Sequence, residues 1–140
     1  MDGKMNNYLE IEPLIIARLK EKISSAQVLS SWGQPVIKEN HNLPPSLQVF
    51  LEEDRPEETV ARGKNQKIEQ TWLVLVVVRD AENDAGPLIS QVIQTLAGWQ
   101  PEGVRFSAFK RVRSSFTPDY SPNGFFYFPL SFSTMFIFSS

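Results

Sequence analysis

The sequence predicts an α+β fold, in which a mixed, mostly antiparallel β-sheet packs against two α-helices. Two segments place apolar residues at helical spacing, one segment rich in valine and leucine is apolar on both faces, and a phenylalanine-rich segment alternates with period two. The predicted order is helix, strand, strand, helix, strand, strand. Because no repeat, linker or low-complexity tract divides the 140 residues, we expect a single domain over residues 1–140.

The first predicted helix covers residues 8–23, where apolar side chains recur at spacings of three and four. Proline is tolerated only in the first turn of a helix, so Pro13 requires this helix to begin between Leu9 and Pro13. Residues 24–45 mix Ser, Gly, Asn and Pro with two short apolar patches, which indicates a connection that can hold one short strand.

Two strands are predicted on either side of a long polar connection. Residues 46–51 form the first, with Leu47, Val49 and Leu51 on one face. Residues 52–67 have no periodicity and are expected to form an exposed hairpin loop. Residues 66–79 give the strongest strand signal, since alternation gives way to continuous Val and Leu, as in a central strand covered on both faces.

The second helix is predicted to follow this strand. Asp84 can cap it, Pro87 suits its first turn and Gly98 ends it. Residues 104–112 are predicted to be a further strand with poorly separated faces, and residues 114–124 have the composition of a loop.

The C-terminal segment is predicted to be a strand because its aromatic residues alternate. The side chains expected to face the core are Phe126, Phe128, Leu130, Phe132, Phe136 and Phe138. A membrane-spanning helix would need about 20 apolar residues, and this run is too short and is broken by proline and serine. Pro129 cannot donate a hydrogen bond to a neighbouring strand, which favours a sheet edge or a bulge there.

Composition excludes several kinds of site. The absence of cysteine rules out disulfides, cysteine-based zinc sites and thiol nucleophiles, and the single histidine disfavours multi-histidine metal sites. That residue, His41, lies in an expected loop, and the sequence has no G-x-S-x-G nucleophile elbow. We therefore expect no enzyme activity, no cofactor and no metal. The N-terminus lacks the pattern of a signal peptide, so synthesis in the cytoplasm is expected.

Two groups of charged residues are the candidate functional residues. The acidic group consists of Glu52, Glu53, Asp54, Glu57 and Glu58, which with Arg55 give a local charge of -4. The basic group consists of Arg105, Lys110, Arg111 and Arg113, with a local charge of +4. Opposite charges on one chain can meet between neighbouring copies, in a heterologous contact that closes into a ring if the rotation allows. Arg62 and Lys64, in the polar loop, complete the set of predicted contact residues.

Two other interpretations of these charges stay open. Both groups can be solvated surfaces. The basic group, interleaved with Phe106, Phe109 and Phe116, can also contact nucleic acid, but a net charge of -2 and a pI near 5.4 argue against a dedicated nucleic-acid-binding protein. We expect no membrane partner and no specific nucleic-acid partner.

The element order and one motif resemble phage tail terminator proteins, which are also described as tail completion proteins. The motif is Leu96-Ala97-Gly98-Trp99-x-Pro101-x-Gly103. The other matching parts are YLEIEPLIIARL at residues 8–19, the strand at 47–51, the strand at 66–78 entered through Gln70-x-Trp72, and the aromatic strand from Phe125. The resemblance covers residues 8–138, and the positions of Pro13 and Pro129 depart from it.

The resemblance implies a structural protein of the virion tail, with a fold like that of tail-tube proteins and no catalytic role. Such proteins assemble as a hexameric ring on the head-proximal end of the tail. They stop polymerisation of the tube, and of the sheath where present, and provide the docking surface for the neck. The implied partners are further copies of the chain, the tube and sheath proteins, and the head–neck connector.

Two alternative functions stay open. One is a small non-enzymatic adaptor domain, which would bind a protein partner by strand addition to the phenylalanine-rich strand as an exposed edge. The other is an enzyme that uses carboxylates alone.

Overall fold

The computed structural model of the chain describes residues 5–30, 45–57, 65–102, 105–122 and 124–139. The elements, in chain order, are α1 (Ile11–Lys22), β1 (Gln27–Ser30), β2 (Ser46–Pro56), β3 (Asn65–Val78), a π-helical turn (Ala81–Ala85), α2 (Gly86–Leu96), β4 (Lys110–Val112), β5 (Asp119–Tyr120) and β6 (Phe126–Ser139). Of the residues singled out from the sequence, His41, Glu58, Arg62 and Lys64 lie outside the described residues.

The strands form one mixed sheet in the order β1-β2-β3-β6-β4, and β5 also pairs with β6. β1 runs parallel to β2, and the other described pairs are antiparallel. β3 and β6 pair over their whole length, from Asn65 opposite Ser139 to Val78 opposite Phe126. The predicted mixed, mostly antiparallel sheet with two helices is confirmed, although strands dominate the fold and β1 and β5 extend the predicted order.

Both helices pack on one side of the sheet, which we call the helix face. The buried helical side chains include Ile11, Ile15, Leu19, Leu88, Val92 and Leu96. The sheet contributes Leu47, Val49, Trp72, Val74, Val76, Leu130, Phe132 and Phe136. The even-numbered aromatic residues of β6 therefore join or border the core, as predicted. We call the opposite side, which carries the odd-numbered residues of β3 and β6, the outer face.

The helices begin and end close to the predicted positions, with one correction. α1 begins at Ile11, within the interval that Pro13 allows. Asp80, rather than Asp84, provides the cap before α2, since its carboxylate accepts a hydrogen bond from the Asn83 N–H at 3.3 Å. The prediction for Asp84 is wrong because the π-helical turn begins the helical segment earlier. In the described part of the chain, no helix has both the length and the apolar character needed to cross a membrane.

The exposed loop predicted over residues 52–67 is wrong at its start, whereas the next strand begins within one residue of the predicted Gln66. β2 continues to Pro56 and β3 begins at Asn65, and their polar residues pair across the strands, with Asp54 opposite Gln70 and Arg55 opposite Glu69. These residues show no apolar alternation because this end of the hairpin is largely solvated. The hydrophobic pattern alone therefore predicts too early an end for β2.

The strand predicted over residues 104–112 is also shorter in the structure. The Phe109 N–H donates to the Trp99 carbonyl and the Gly98 N–H donates to the Phe109 carbonyl, each at 2.7 Å. These bonds attach the chain to the end of α2, and regular pairing with β6 begins only at Lys110. Phe106 forms an isolated bridge with Phe136.

β6 is an interior strand, and the sheet edge or bulge predicted at Pro129 corresponds to a local break in its pairing. β3 lies on one side, and β4 and β5 lie on the other. The Ser107 N–H donates to the Met135 carbonyl at 2.9 Å on that second side, and backbone alternation aims Pro129 in the same direction. The β5 pairing ends at Tyr127 and the β4 pairing begins at Ser131, so Pro129 falls in a gap between them.

Replacing Phe132 by alanine should lower the free energy of unfolding by about 3–5 kcal/mol, because this side chain is fully buried and its loss leaves a cavity. Ile137, in the same strand but on the outer face, is 48% exposed, so Ile137→Ala should cost less than about 1 kcal/mol. Chemical denaturation of the two variants measures the difference. Equal losses would contradict the assignment of the two faces.

Candidate interaction surface

The acids Glu52, Glu53 and Asp54 are divided between the two faces of the sheet because they lie in β2. Glu53 is opposite Thr71 on the outer face, whereas Asp54 is opposite Gln70 on the helix face. Glu52 is the extra residue of a β-bulge between Leu51 and Glu53. These three acids therefore have different surroundings, which an exposed loop would not have given them.

The Glu52 carboxylate fixes a segment of chain over the outer face. One oxygen accepts hydrogen bonds from the hydroxyls of Ser131, at 2.5 Å, and Ser114, at 3.4 Å. The other accepts from the N–H of Ser115 at 2.9 Å and from its hydroxyl at 2.8 Å. We call residues 113–118 the strap. Glu52 thus joins the strap to β2 and β6.

Hydrogen bonding lowers the pKa of Glu52. Partial burial on its own would raise the pKa, but the hydrogen bonds donated by Ser131, Ser115 and Ser114 outweigh burial and hold it below its usual range. The sequence-based expectation that these acids lie where burial does not affect the pKa is therefore wrong for Glu52. Its carboxylate is ionised at neutral pH and stays an acceptor for the strap.

Asp54 takes part in a polar network on the helix face. It accepts hydrogen bonds from the Tyr8 hydroxyl and from the Gln70 amide, both at 2.9 Å. Gln70 is fully buried and accepts from the Trp72 indole N–H at 3.2 Å. Burial, followed by the bond to Asp54, raises the pKa of Tyr8 to about 12. This network ties the segment before α1 to β2 and β3.

The other described acids of the acidic group, Glu53 and Glu57, lie at the solvated end of the hairpin. Glu53 forms an ion pair with Arg55 at 2.9 Å in the same strand, and both are exposed. Such a pair contributes little to stability. The Glu57 backbone N–H donates to the Lys67 carbonyl, and within the described residues its exposed carboxylate has no partner.

Three of the four residues of the basic group share the same exposed setting, and Arg105 differs. Arg105 pairs with Glu10 at 3.6 Å, so its charge is partly compensated within the chain. Lys110, Arg111 and Arg113 are exposed, and none has an ion-pair partner among the described residues. Lys110 and Arg111 belong to β4, at one edge of the sheet.

The structure places the acidic and basic groups at opposite edges of the sheet. β1 pairs only with Ser46–Val49 of β2, so the charged end of β2 forms one edge of the described sheet. β4 is the opposite edge, three strand spacings or about 14 Å away. The acids at the exposed end of β2 and the bases of β4 are therefore too far apart to pair within one chain, whereas the Glu52 carboxylate reaches the strap beside Arg113.

Sequence analysis missed the strap and the space beneath it. Phe50, Leu73, Leu75, Phe116 and other residues line a cavity of about 340 Å³ on the outer face. The signal in the sequence was the continuous apolar character of β3, which requires cover on both faces of the sheet. Both helices lie on one face, so another segment must cover the other. The serines that bind Glu52 have no distinctive spacing.

The motif that carried the family resemblance has a structural role. Gly98 adopts φ +81°, a conformation that favours glycine, and it turns the chain at the end of α2. The Trp99 ring then packs against Phe109, with 5.2 Å between ring centroids, and against the Arg18 guanidinium at 5.5 Å. The motif thus sets the path from α2 to β4.

These surfaces are suited to binding other proteins. In the part of the chain that the structure describes, no group of three or more His, Cys, Asp or Glu side chains could hold a metal ion. The charged edges and the strapped face offer ionic, hydroxyl and apolar contacts. The fold and these surfaces define a strand-rich α+β protein with two oppositely charged sheet edges.

Residues 5–140 match the family described as phage tail terminator protein. The chain therefore belongs to this family of structural tail proteins, and the resemblance seen in the sequence is confirmed over nearly its whole length. Membership makes it a component of the virion tail that interacts with other tail components. A comparison with curated proteins gives no match.

The contribution of Glu52 to stability should depend on pH. A carboxyl group with a lowered pKa in the folded state stabilises the protein above its unfolded pKa of about 4.3, and this contribution is lost as the pH falls through the folded pKa. Wild type should therefore be more stable than Glu52→Gln at pH 7, and the difference should shrink in acid. Denaturation midpoints at a series of pH values measure it. A difference in stability that stays constant with pH would contradict the role of an ionised Glu52 carboxylate in holding the strap.

Proposed function

We propose that the protein forms a hexameric ring on the head-proximal end of a phage tail. The ring stops polymerisation of the tube, and of the sheath where present, and provides the docking surface for the head–neck connector in the neck. Family membership supports the place in the tail and the contacts with tail components. The hexamer follows the resemblance, and the charged sheet edges of the structure support the choice of assembly surfaces.

The observation that carries the proposal is the opposite charge of the two sheet edges. In the described part of β2 and the residue after it, Glu52, Glu53, Asp54 and Glu57 against Arg55 give -3. At the other edge, Lys110, Arg111 and Arg113 give +3. Different surfaces that complement each other form a heterologous contact, which produces a closed ring when the rotation between copies allows.

The predicted contact residues have separate roles in this proposal. Glu57 and the neighbouring Glu58 face the basic edge of the next copy, where Lys110 and Arg111 are exposed. Arg113 lies at the start of the strap and extends the basic surface toward the tube. Arg62 and Lys64 are proposed as tube contacts from their place in the polar hairpin connection.

The two alternative functions have less support. An adaptor that binds through the phenylalanine-rich strand needs a free edge there, whereas β6 is paired with β3 on one side and with β4 and β5 on the other. An enzyme using carboxylates would need free acids in a cleft, whereas Glu52 and Asp54 are occupied by structural hydrogen bonds. The family is one of structural proteins.

Reversing the acidic edge should weaken ring assembly. In the double variant Glu57→Lys, Glu58→Lys, lysines face the basic edge of the next copy, and we expect the concentration for half-assembly to rise by at least ~10-fold. Size-exclusion chromatography with light scattering measures the particle mass, which for the wild-type ring should be six times the 15.9 kDa of the chain.

The matched control is the double variant Glu21→Lys, Glu102→Lys, which reverses two exposed acids outside the proposed edge contacts. It makes the same change in net charge and should leave the particle mass unchanged. If the edge variant also assembles like wild type, or if the wild type is a monomer across the concentration range, the proposed ring contact is wrong.

A further inference from the structure

The strap presents an exposed aromatic side chain on a fixed loop. The Glu52 carboxylate holds Ser114 and Ser115 in place, and the Phe116 N–H donates to the Ser114 hydroxyl at 3.1 Å. Phe116 is nevertheless 55% exposed. An aromatic residue that is already ordered loses little conformational entropy on binding, which is how binding surfaces gain affinity.

Two adjoining cavities flank this side chain. The smaller, of about 340 Å³, lies under the strap against Phe50, Leu73 and Leu75 of the outer face. The larger, of about 600 Å³, lies at the gap between β4 and β5. The residues that line both are Phe116, Thr117 and Pro129. Both volumes lie in the range of protein sites that hold a side chain or small ligand.

The charges around the cavities select the occupant. Arg111 and Arg113 line the larger cavity, and neither has an ion-pair partner among the described residues. Glu52 is the acid that lines the smaller cavity, and its oxygens already accept four hydrogen bonds from the strap and β6. The surface therefore combines apolar walls with uncompensated positive charge, which favours carboxylates next to apolar side chains.

Addition of a strand to β6 is an unsuitable way to bind at this surface. The gap in the sheet exposes β6 at Pro129, which has no N–H to offer to an added strand. Of this residue's backbone groups only the carbonyl can bond to an added strand, so a bound segment depends mainly on its side chains. Because the two cavities adjoin along the strap, a segment that fills both is extended.

We propose that the strap and its two cavities bind an extended segment of another protein chain in which carboxylates alternate with aliphatic or aromatic side chains. The apolar side chains enter the cavities beside Phe116, and the carboxylates pair with Arg111 and Arg113. Glu52 is a positioning residue that fixes the strap. This contact differs from the ring contact because it uses Phe116 and Arg113 of the strap and not Glu57, although both contacts include Arg111.

The test measures binding of fluorescein-labelled peptides by fluorescence anisotropy. The probe is a short peptide of alternating Glu and Leu, and the comparison peptides are alternating Lys and Leu, and alternating Glu and Ser. The Glu–Leu peptide should bind best, and Phe116→Ala and Arg113→Glu should each weaken it by at least ~10-fold. Light scattering on the same samples reports the oligomer, so a failure of the ring proposal is seen separately.

The matched control variants are Leu14→Ala and Lys20→Glu, which alter an exposed apolar residue and an exposed base on α1. They should leave peptide affinity unchanged. Equal binding of the Glu–Leu peptide to all variants, equal binding of all three peptides, or no binding would overturn the proposal. Tighter binding of an oligothymidine that competes with the peptide would also overturn it, in favour of a nucleic-acid surface.

Glu52→Gln tests the positioning role. Hydrogen exchange should become faster at the Ser115 amide and along the strap while the β3–β6 ladder stays protected, and peptide affinity should fall by ~3-fold or more. Peptide affinity that is unchanged although the strap exchanges faster would contradict the need for a fixed strap.

Discussion

The pairing of β3 with β6 is the interaction on which the rest of the structure depends. The two strands stay in register over fourteen residues each, and their side chains alternate between the helix face and the outer face. Because β3 is apolar on both faces, each face must be covered. The helices cover one face, and the strap covers part of the other. The solvated end of the ladder is left free, and the charged residues of β2 lie beside it.

Glu52 links this framework to the surfaces that we assign to assembly. The β-bulge removes Glu52 from the ladder, and its carboxylate reaches across the outer face to Ser131 and to the strap. The strap in turn leads from the basic edge strand β4 to β5. One carboxylate therefore orders the segment that carries Arg113 and Phe116. This arrangement gives a protein with a cohesive core, two charged sheet edges and one face covered in part by the strap.

Much of the fold could be predicted from the sequence, because α1, β3, α2 and β6 have strong periodicity and their capping and turn residues are local. The boundaries of β2 and β4 could not, since they depend on partners far along the chain: Gln70 and Glu69 extend β2, and Trp99 draws Phe109 away from the sheet. The charged groups were visible in the composition of the sequence. The distribution of the acids between the helix face and the outer face was not, because it depends on the β-bulge at Glu52. The strap had no local signal, because its bonds to Glu52 join residues 62 or 63 positions apart.

The central claim is that the protein ends tail growth by capping the tube. Negative-stain electron microscopy of tails assembled with and without the protein tests it most directly, through the distribution of tube lengths and the fraction of tails joined to heads. The account predicts tubes of abnormal length that lack heads when the protein is absent, and restoration when it is supplied. Tails of normal length joined to heads in its absence would contradict the claim.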